Sequence, residues 1–259
     1  MASQQQLSIG YWAIRGLAAP LRMMACYAGT PFEARLYECK EKADGSFDRD
    51  VWLAEAKPAL RERNPLINLP YIVDKDVVVT QSNACLLYLG RKFDMLGDGS
   101  ESELCLCEQL LCEVFDLRNQ VVGYAYSARG SSAEETAKFF AAIGPTMAKL
   151  EAVKCKGRES AFLVGAKASA PDFHLWEMLD QLNIYAAAHS LLSPVPAYPS
   201  LSQFHRDFAA LEQNAKYLAS PLHTLPCNNP SARVGAVPEG GAWVPGQTVF
   251  AWGGRTGQY

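Results

Sequence analysis

Between Ile67 and Leu89 the chain reads INLPYIVDKDVVVTQSNACLLYL, and this stretch leaves few topologies open. Ile72-Val73 and Val77-Val78-Val79 are β-branched apolar runs, and Asp74-Lys75-Asp76 between them reads as a turn. The pair is therefore expected to form a hairpin of two short buried strands. A helix is expected from Ser82 to about Phe93. Two features do not serve the hairpin. Pro70 removes a backbone donor at the mouth of the first strand, which confines it to an edge or a strand entry. Gln81 and Ser82 place small polar groups where the helix opens.

Each feature has a structural and a functional reading. Pro70 is either a trans proline that starts a strand or a cis proline. A cis bond would turn the backbone of Leu69 outward, so that its N–H and C=O pair with an extended peptide. Ser82 is either a plain helix cap or part of an anion site. A helix N-terminus offers free N–H groups and a partial positive charge, and Gln81 would reach the same ligand.

Upstream, LSIGYW (7–12) is strand-like, GLAAPLRMMACYAG (16–29) reads as a helix ended by Gly29, and FEARLYE (32–38) alternates as a strand does. A polar loop, ECKEKADGSFDRD (38–50), precedes a short helix near Trp52. The order β-α-β-α-β-β-α gives a right-handed βαβ unit followed by a hairpin, the arrangement of a thioredoxin-like domain. Tyr11 then lies at the exit of the first strand, the reactive corner of such domains. A redox member would carry CxxC there; this chain has Tyr11-Trp12-Ala13-Ile14. A phenol that donates a hydrogen bond to a thiolate lowers the sulfur's pKa from about 8.5, at about 1.4 kcal/mol per unit. The other reading of Tyr11 is a buried structural tyrosine.

Beyond residue 100 the pattern is helical. Helices are expected near 101–127, 133–155, 171–189 and 200–217, with DGSESE (98–103) as a linker. Ser169-Ala170-Pro171-Asp172 is a start signal, with Ser169 as cap and Asp172 returning a hydrogen bond. The segment from Ser220 to Tyr259 is rich in Pro and Gly without a regular period and reads as a loop-like tail. The expected organisation is an α/β thioredoxin-like domain over 1–97, an all-α helical domain over 98–219, and a tail over 220–259.

Composition narrows the function classes. Of 259 residues, 49% are hydrophobic and 20% charged, as in ordinary globular proteins. A net charge of −3 gives no footprint for nucleic acid or an anionic membrane. The apolar runs are too short to span a bilayer, and MASQQQLSIGYW carries no secretory signal, so a cytoplasmic protein is expected. The eight cysteines form no CxxC pair and no ligand cluster with the four histidines. They read as small packed residues in a reducing interior, with redox sensitivity as the alternative; no metal site is expected.

The order and spacing of these features resemble the glutathione S-transferases, the mu class most closely. The matching stretches are GYWAIRGLAAPLRMMACYAGT (10–30), FDRDVW (47–52), NLPYIVDKDVVVTQSNACLLYLGRKF (68–93), FLVGAKASAPDFHLWEMLD (162–180) and AYPSLSQFHRDFAALE (197–212), with VFAWGG (249–254) similar to the class's terminal segment. The resemblance implies conjugation of reduced glutathione to small hydrophobic electrophiles. It makes Tyr11 the hydroxyl donor to the sulfur and sets Trp12 and Leu17 beside the peptide and the apolar pocket. Arg49, Trp52 and Lys57 become the group that holds the glycyl carboxylate. Asn68 and Leu69 become the backbone-pairing strand, with Pro70 as the cis-proline, and Gln81 and Ser82 the γ-glutamyl clamp. Asp116 matches the acidic residue that reaches the neighbouring subunit's ligand, and Tyr126 a second tyrosine of the electrophile pocket. A homodimer is implied, without metal, nucleic acid or membrane.

The chain departs from the mu pattern in three places. The spacing from Trp52 to Asn68 is longer, which displaces Lys57 against the pattern. Leu66 stands where the class has an aromatic key to its partner subunit. The tail is expanded before VFAWGG. Two alternatives to a transferase stay open on the sequence: a carrier of apolar ligands with the same fold, and an isomerase that uses glutathione and regenerates it.

Overall fold

The computed structural model describes residues 7–156, 160–236 and 249–253. These form two compact units. One holds residues 7–89, 216–231 and 249–253, and the other residues 90–156, 160–215 and 232–236. The division falls inside a helix rather than at the 98–103 linker, and most of the described tail belongs with the sheet.

In the sheet unit, β1 (Leu7–Trp12) is followed by α1 (Ala19–Tyr27) and β2 (Phe32–Tyr37). Within the polar loop a small hairpin forms from β3 (Lys40–Glu41) and β4 (Phe47–Asp48). A wide helical stretch, Val51–Ala56, runs into α2 (Lys57–Arg63), with the Lys57 N–H reaching back to the Trp52 carbonyl. Then come β5 (Tyr71–Asp74), β6 (Val77–Thr80) and α3 (Ser82–Lys92). β1 and β2 are parallel, while β5 is antiparallel to both β1 and β6. This is the expected βαβ unit plus hairpin.

The main sheet has the order β6-β5-β1-β2-β7, where β7 is Val249–Trp252. The loop-like reading of the tail is wrong at this point. β7 pairs antiparallel with β2, and Trp252 stacks on Phe32 with ring centroids 6.3 Å apart. Without it, β2 would present unpaired backbone groups at the sheet edge. Pairing alternates the side chains between two faces. Leu7, Ile9 and Tyr11 of β1 and Phe32, Ala34 and Leu36 of β2 are buried. A second cluster joins Tyr37, Trp52, Ile67, Tyr71 and Val73. It depends on Gly10: a Cβ there would lie 2.1 Å from the Tyr71 ring, which fills the space any side chain would need.

The helical unit contains α4 (Glu101–Ala125), α5 (Ala133–Ala142), α6 (Gly144–Lys156), α7 (Ala170–Ala188) and α8 (Pro199–Ala210), and α9 (Glu212–Leu218) begins in it. α7 is central, with every residue from Ala170 to Leu179 buried, and it packs along α4. Two expected helices are each divided. The run 133–155 breaks at Ile143 because Pro145 has no N–H to continue the ladder, and α6 restarts with Pro145 in its first turn. The run 200–217 breaks at Leu211, which is extended at ψ 130°, and the Asn214 side chain takes up the freed Phe208 carbonyl at 2.7 Å.

The start of α7 is as the sequence suggests. The Asp172 carboxylate accepts from the Ser169 N–H (2.8 Å), the Ser169 hydroxyl (2.6 Å) and the Leu163 N–H (2.8 Å). Burial pushes the Asp172 carboxyl up to about 6 against the pull of these bonds.

Candidate glutathione-binding site

Strand register brings distant residues of the sheet unit together. Gly10 pairs with Tyr71, and Tyr71 pairs with Thr80. One step further along, Tyr11, Pro70 and Gln81 stand at the same end of three adjacent strands. The Leu69–Pro70 bond is cis, the isomer the resemblance implies. Among the described residues, neither the N–H nor the C=O of Leu69 makes a hydrogen bond, although Leu69 is half-buried. Backbone groups in that situation normally have a partner.

The turn that presents Leu69 is held by Thr80, which the sequence reading did not single out. Its hydroxyl accepts from the Asn68 N–H at 3.1 Å and lies 2.8 Å from the Asn68 carbonyl and 3.1 Å from that of Pro70. Asn68 itself is exposed. At the opening of α3, Ser82 is buried, while Gln81 is exposed and adopts the left-handed φ of 73°. For a residue with a side chain this conformation is uncommon and is typical of constrained sites. The Gln81 carbonyl accepts from the Cys85 N–H at 2.8 Å, so the first helical turn closes on it.

The Tyr11 ring packs directly on Gly16. A Cβ at Gly16 would lie 2.6 Å from Cε1 and 3.0 Å from the hydroxyl oxygen, and Gly16 has φ +39°. Glycine is required there on both counts. Leu17, next in the loop, is half-buried. Two elements pin this loop. Arg22 of α1, fully buried, donates to the Ile14 carbonyl at 2.8 Å and to that of Trp12 at 3.4 Å. The tail segment accepts from Arg15 N–H at Pro226 (2.7 Å) and from Gly16 N–H at Cys227 (3.2 Å). A basic residue inside the otherwise apolar APLRMMACY was the only sequence signal for Arg22.

Trp52 is 1% exposed, stacked on Tyr71 (centroids 5.8 Å) and tilted against Tyr37 (5.1 Å). Lys57 Nζ lies 6.0 Å from the Trp52 ring centroid, a cation over an aromatic face. The carbonyl of Arg49, an exposed residue, accepts from the N–H groups of Trp52 and Leu53, which opens the wide helical stretch. Asp116 and Tyr126 belong to the helical unit: Asp116 is exposed on α4, and Tyr126 is exposed at the C-terminal cap of that helix.

Cys26, Cys85, Cys107 and Cys227 are buried as packed residues, whereas Cys105 and Cys112 are exposed on α4, against the reading of all eight as packed. Burial raises the Cys26 thiol and pushes Cys85 and Cys107 up to about 12, which keeps them protonated. Among the described residues no group of three or more His, Cys, Asp and Glu side chains is arranged to hold a metal, and no helix is long and apolar enough to cross a membrane.

Fold and site together define a thioredoxin-like unit that offers a free backbone pair beside a tyrosine, a helix N-terminus and a tryptophan–lysine pair, in a chain that continues as an all-helical unit. Comparison with known proteins gives the same class. A family model described as the glutathione S-transferase N-terminal domain matches residues 7–91, and one described as the C-terminal domain matches residues 115–221. Glutathione S-transferase Mu 3 of Homo sapiens is 33% identical over 239 residues, covering 92% of this chain and 99% of that protein. Glutathione S-transferase 2 of Gallus gallus is 35% identical over 225 residues, covering 83% and 90%. The crystal structure of the glutathione S-transferase Blo t 8 superposes with a TM-score of 0.71 at 27% identity, over 88% of this chain and 99% of that one. The chain belongs to the glutathione S-transferase family. It is a glutathione transferase with Mu-class relatives, and the carrier and isomerase readings are not favoured.

Proposed function

We propose that glutathione binds at the end of the sheet as a short added strand, and that its thiolate is conjugated to small hydrophobic electrophiles. Leu69 N–H and C=O pair with the cysteinyl backbone of the tripeptide, and Asn68 extends that edge. Gln81 and Ser82 at the start of α3 take the γ-glutamyl carboxylate, where free N–H groups and the helix dipole favour an anion. Arg49, Trp52 and Lys57 hold the glycyl carboxylate. The Tyr11 hydroxyl donates to the sulfur, and Trp12 and Leu17 line the space beside it. The unpaired backbone of Leu69 carries this reading, since it sits one strand from Tyr11 and asks for an extended partner.

The chemistry follows from the hydrogen bond. The phenol stabilises the thiolate, and the thiol proton passes to solvent. The sulfur lone pair then forms a bond to an electrophilic carbon, and the bonding pair leaves with the displaced group or moves into a conjugated acceptor. Binding supplies proximity, and the lowered sulfur pKa supplies the nucleophile. Asp116 acts on the ligand of a neighbouring subunit and Tyr126 on the electrophile, in a cytoplasmic homodimer that serves detoxification. Tyr11→Phe tests the reading. Conjugation of an aryl halide near neutral pH should fall by about one to two orders of magnitude, while calorimetry finds glutathione still bound. An unchanged rate removes Tyr11 from its role.

A further inference from the structure

α1 buries a charge in apolar surroundings. Arg22 is fully buried between Leu21 and Met23, with Met24, Ala18 and Ala19 buried around it in the chain. A guanidinium taken from water into such a place is costly unless its N–H groups find acceptors. A methionine would pack there without that cost, as Met23 and Met24 do. Packing of α1 therefore does not account for the arginine; its hydrogen bonds do.

Those bonds go to one place. Nη1 donates to the Ile14 carbonyl at 2.8 Å and Nη2 to the Trp12 carbonyl at 3.4 Å, so the fork spans the turn that follows the strand exit. The Tyr11 ring rests on Gly16, and residues 12–15 are the chain between the two. Where Gly16 stands relative to β1 thus decides where the Tyr11 hydroxyl points. Main-chain bonds hold the same turn: Ala13 N–H to the Tyr37 carbonyl (2.7 Å), Arg15 N–H to that of Pro226 (2.7 Å) and Gly16 N–H to that of Cys227 (3.2 Å). Arg22 adds a side-chain clamp from the helix, one that a single substitution removes. A hydrogen bond weakens steeply once its donor is misdirected, and misplacing a reacting group by about 1 Å costs up to about a hundredfold in rate.

We propose that Arg22 is a positioning residue of the conjugation: its fork fixes the Trp12–Gly16 turn, and the turn holds the Tyr11 hydroxyl on the glutathione sulfur. Arg22 acts through the phenol and not on the sulfur itself. The inference rests on the reading of Tyr11 as donor to that sulfur.

A double-mutant cycle on the full chain tests it, with the bound glutathione thiol titrated by its ultraviolet thiolate absorbance and aryl halide conjugation followed in parallel. In Arg22→Met the thiol should titrate about one unit higher and kcat near neutral pH should fall about tenfold, with the KM for glutathione changed less than about threefold. Arg22→Lys keeps the charge but not the fork, and should show a smaller shift of the same sign. In Tyr11→Phe, adding Arg22→Met should shift the titration no further, because the phenol it aims is gone. An unchanged titration in Arg22→Met overturns the inference whatever happens to its stability; if that variant does not fold, an unchanged titration in Arg22→Lys does so. A further shift in the double variant also overturns it, since Arg22 would then act on the sulfur by its charge. Tyr11→Phe alone separates the two readings. If it titrates as the parent chain does, the role of Tyr11 falls and that of Arg22 with it; if it is shifted while Arg22→Met is not, only the role of Arg22 falls.

Discussion

The strand exit of the sheet unit and the start of α7 in the helical unit treat their polar groups in opposite ways. Among the described residues the sheet unit leaves a backbone donor and acceptor without a partner, the N–H and C=O of Leu69 at the strand exit. In the helical unit the buried carboxylate at the start of α7 is partnered: Asp172 accepts from Ser169 and Leu163. The difference follows from periodicity. A strand pairs with residues far away in sequence, so the end of a sheet collects side chains from residues 11, 70 and 81. A helix closes its bonds within four residues, so a polar group inside it serves the helix start or the packing. Partnered buried polar groups mark architecture; unpartnered ones at a strand exit mark ligand chemistry.

The strongest way to break this contrast is at Asp172. Asp172→Ala leaves three donors around Ser169 and Leu163 without an acceptor. The expected loss is about 3 kcal/mol or more of stability, read from urea denaturation at neutral pH. A loss under about 1 kcal/mol would mean that the cap is dispensable and that α7 is held by apolar packing alone.

Tyr11→Phe probes the other side of the comparison. Its cost should appear in turnover, at about 1.4 to 3 kcal/mol of transition-state stabilisation, and hardly in unfolding. An equal loss of stability and activity would make Tyr11 a structural tyrosine, and the sheet exit would then resemble the helical core.

How much of this was visible in the sequence also divides along the same line. Local signals placed β1, the Gly29 helix stop, the hairpin with its turn, and the α3 start at Ser82 within a residue or two. The Ser169–Asp172 cap was legible because all its parts lie within four positions. Contacts between distant residues were not. Thr80 reads as one more strand residue until register sets it against Asn68, and Tyr37 and Tyr71 are separated by 34 positions. β7 is four residues long and gains its identity from the open edge of β2. The helix break before Pro145 was readable from the proline itself, but the apolar period across it masked the signal. The candidate site residues follow from the family resemblance, whereas the unpaired Leu69 backbone is a property of the folded sheet.

His174 is an exception to the contrast within the helical unit. Its ring is buried on α7, neither nitrogen has a hydrogen bond, and burial together with the nearby Arg118 charge lowers its pKa to about 3. The unfolded chain takes up a proton near pH 6.5 and the folded one does not. This contribution to stability is therefore present above 6.5 and is lost as pH falls toward 3. Asp172 has the reverse sign. Its folded pKa of about 6 exceeds the ordinary 3.8, so its contribution is full below 3.8 and is lost as pH rises through 6. Between pH 4 and 6 the two oppose each other at about 1 kcal/mol per unit. His174→Leu should gain about 1 kcal/mol at pH 7 and, with the Asp172 titration unopposed, should lose more stability than the parent chain as pH rises from 4 to 6. Parallel urea midpoints of the two proteins across that range would show that His174 titrates as it does in the unfolded chain.

The smallest expected effect tests whether the sheet exit is set by its support rather than by its ligand contacts. The Thr80 hydroxyl bonds only the turn, through Asn68 and Pro70. Thr80→Val keeps the shape and removes the hydroxyl, so the Asn68 N–H loses its acceptor and the turn gains freedom. Glutathione binding should weaken several-fold, by about 1 kcal/mol, while kcat and its pH dependence stay as they were, because Tyr11 is untouched. A shift of the pH profile toward that of Tyr11→Phe would couple Thr80 to the sulfur instead. An unchanged KM would mean that the Leu69 backbone is presented by the β5–β6 ladder without help from the threonine, and that the free pair needs no support beyond the strands that carry it.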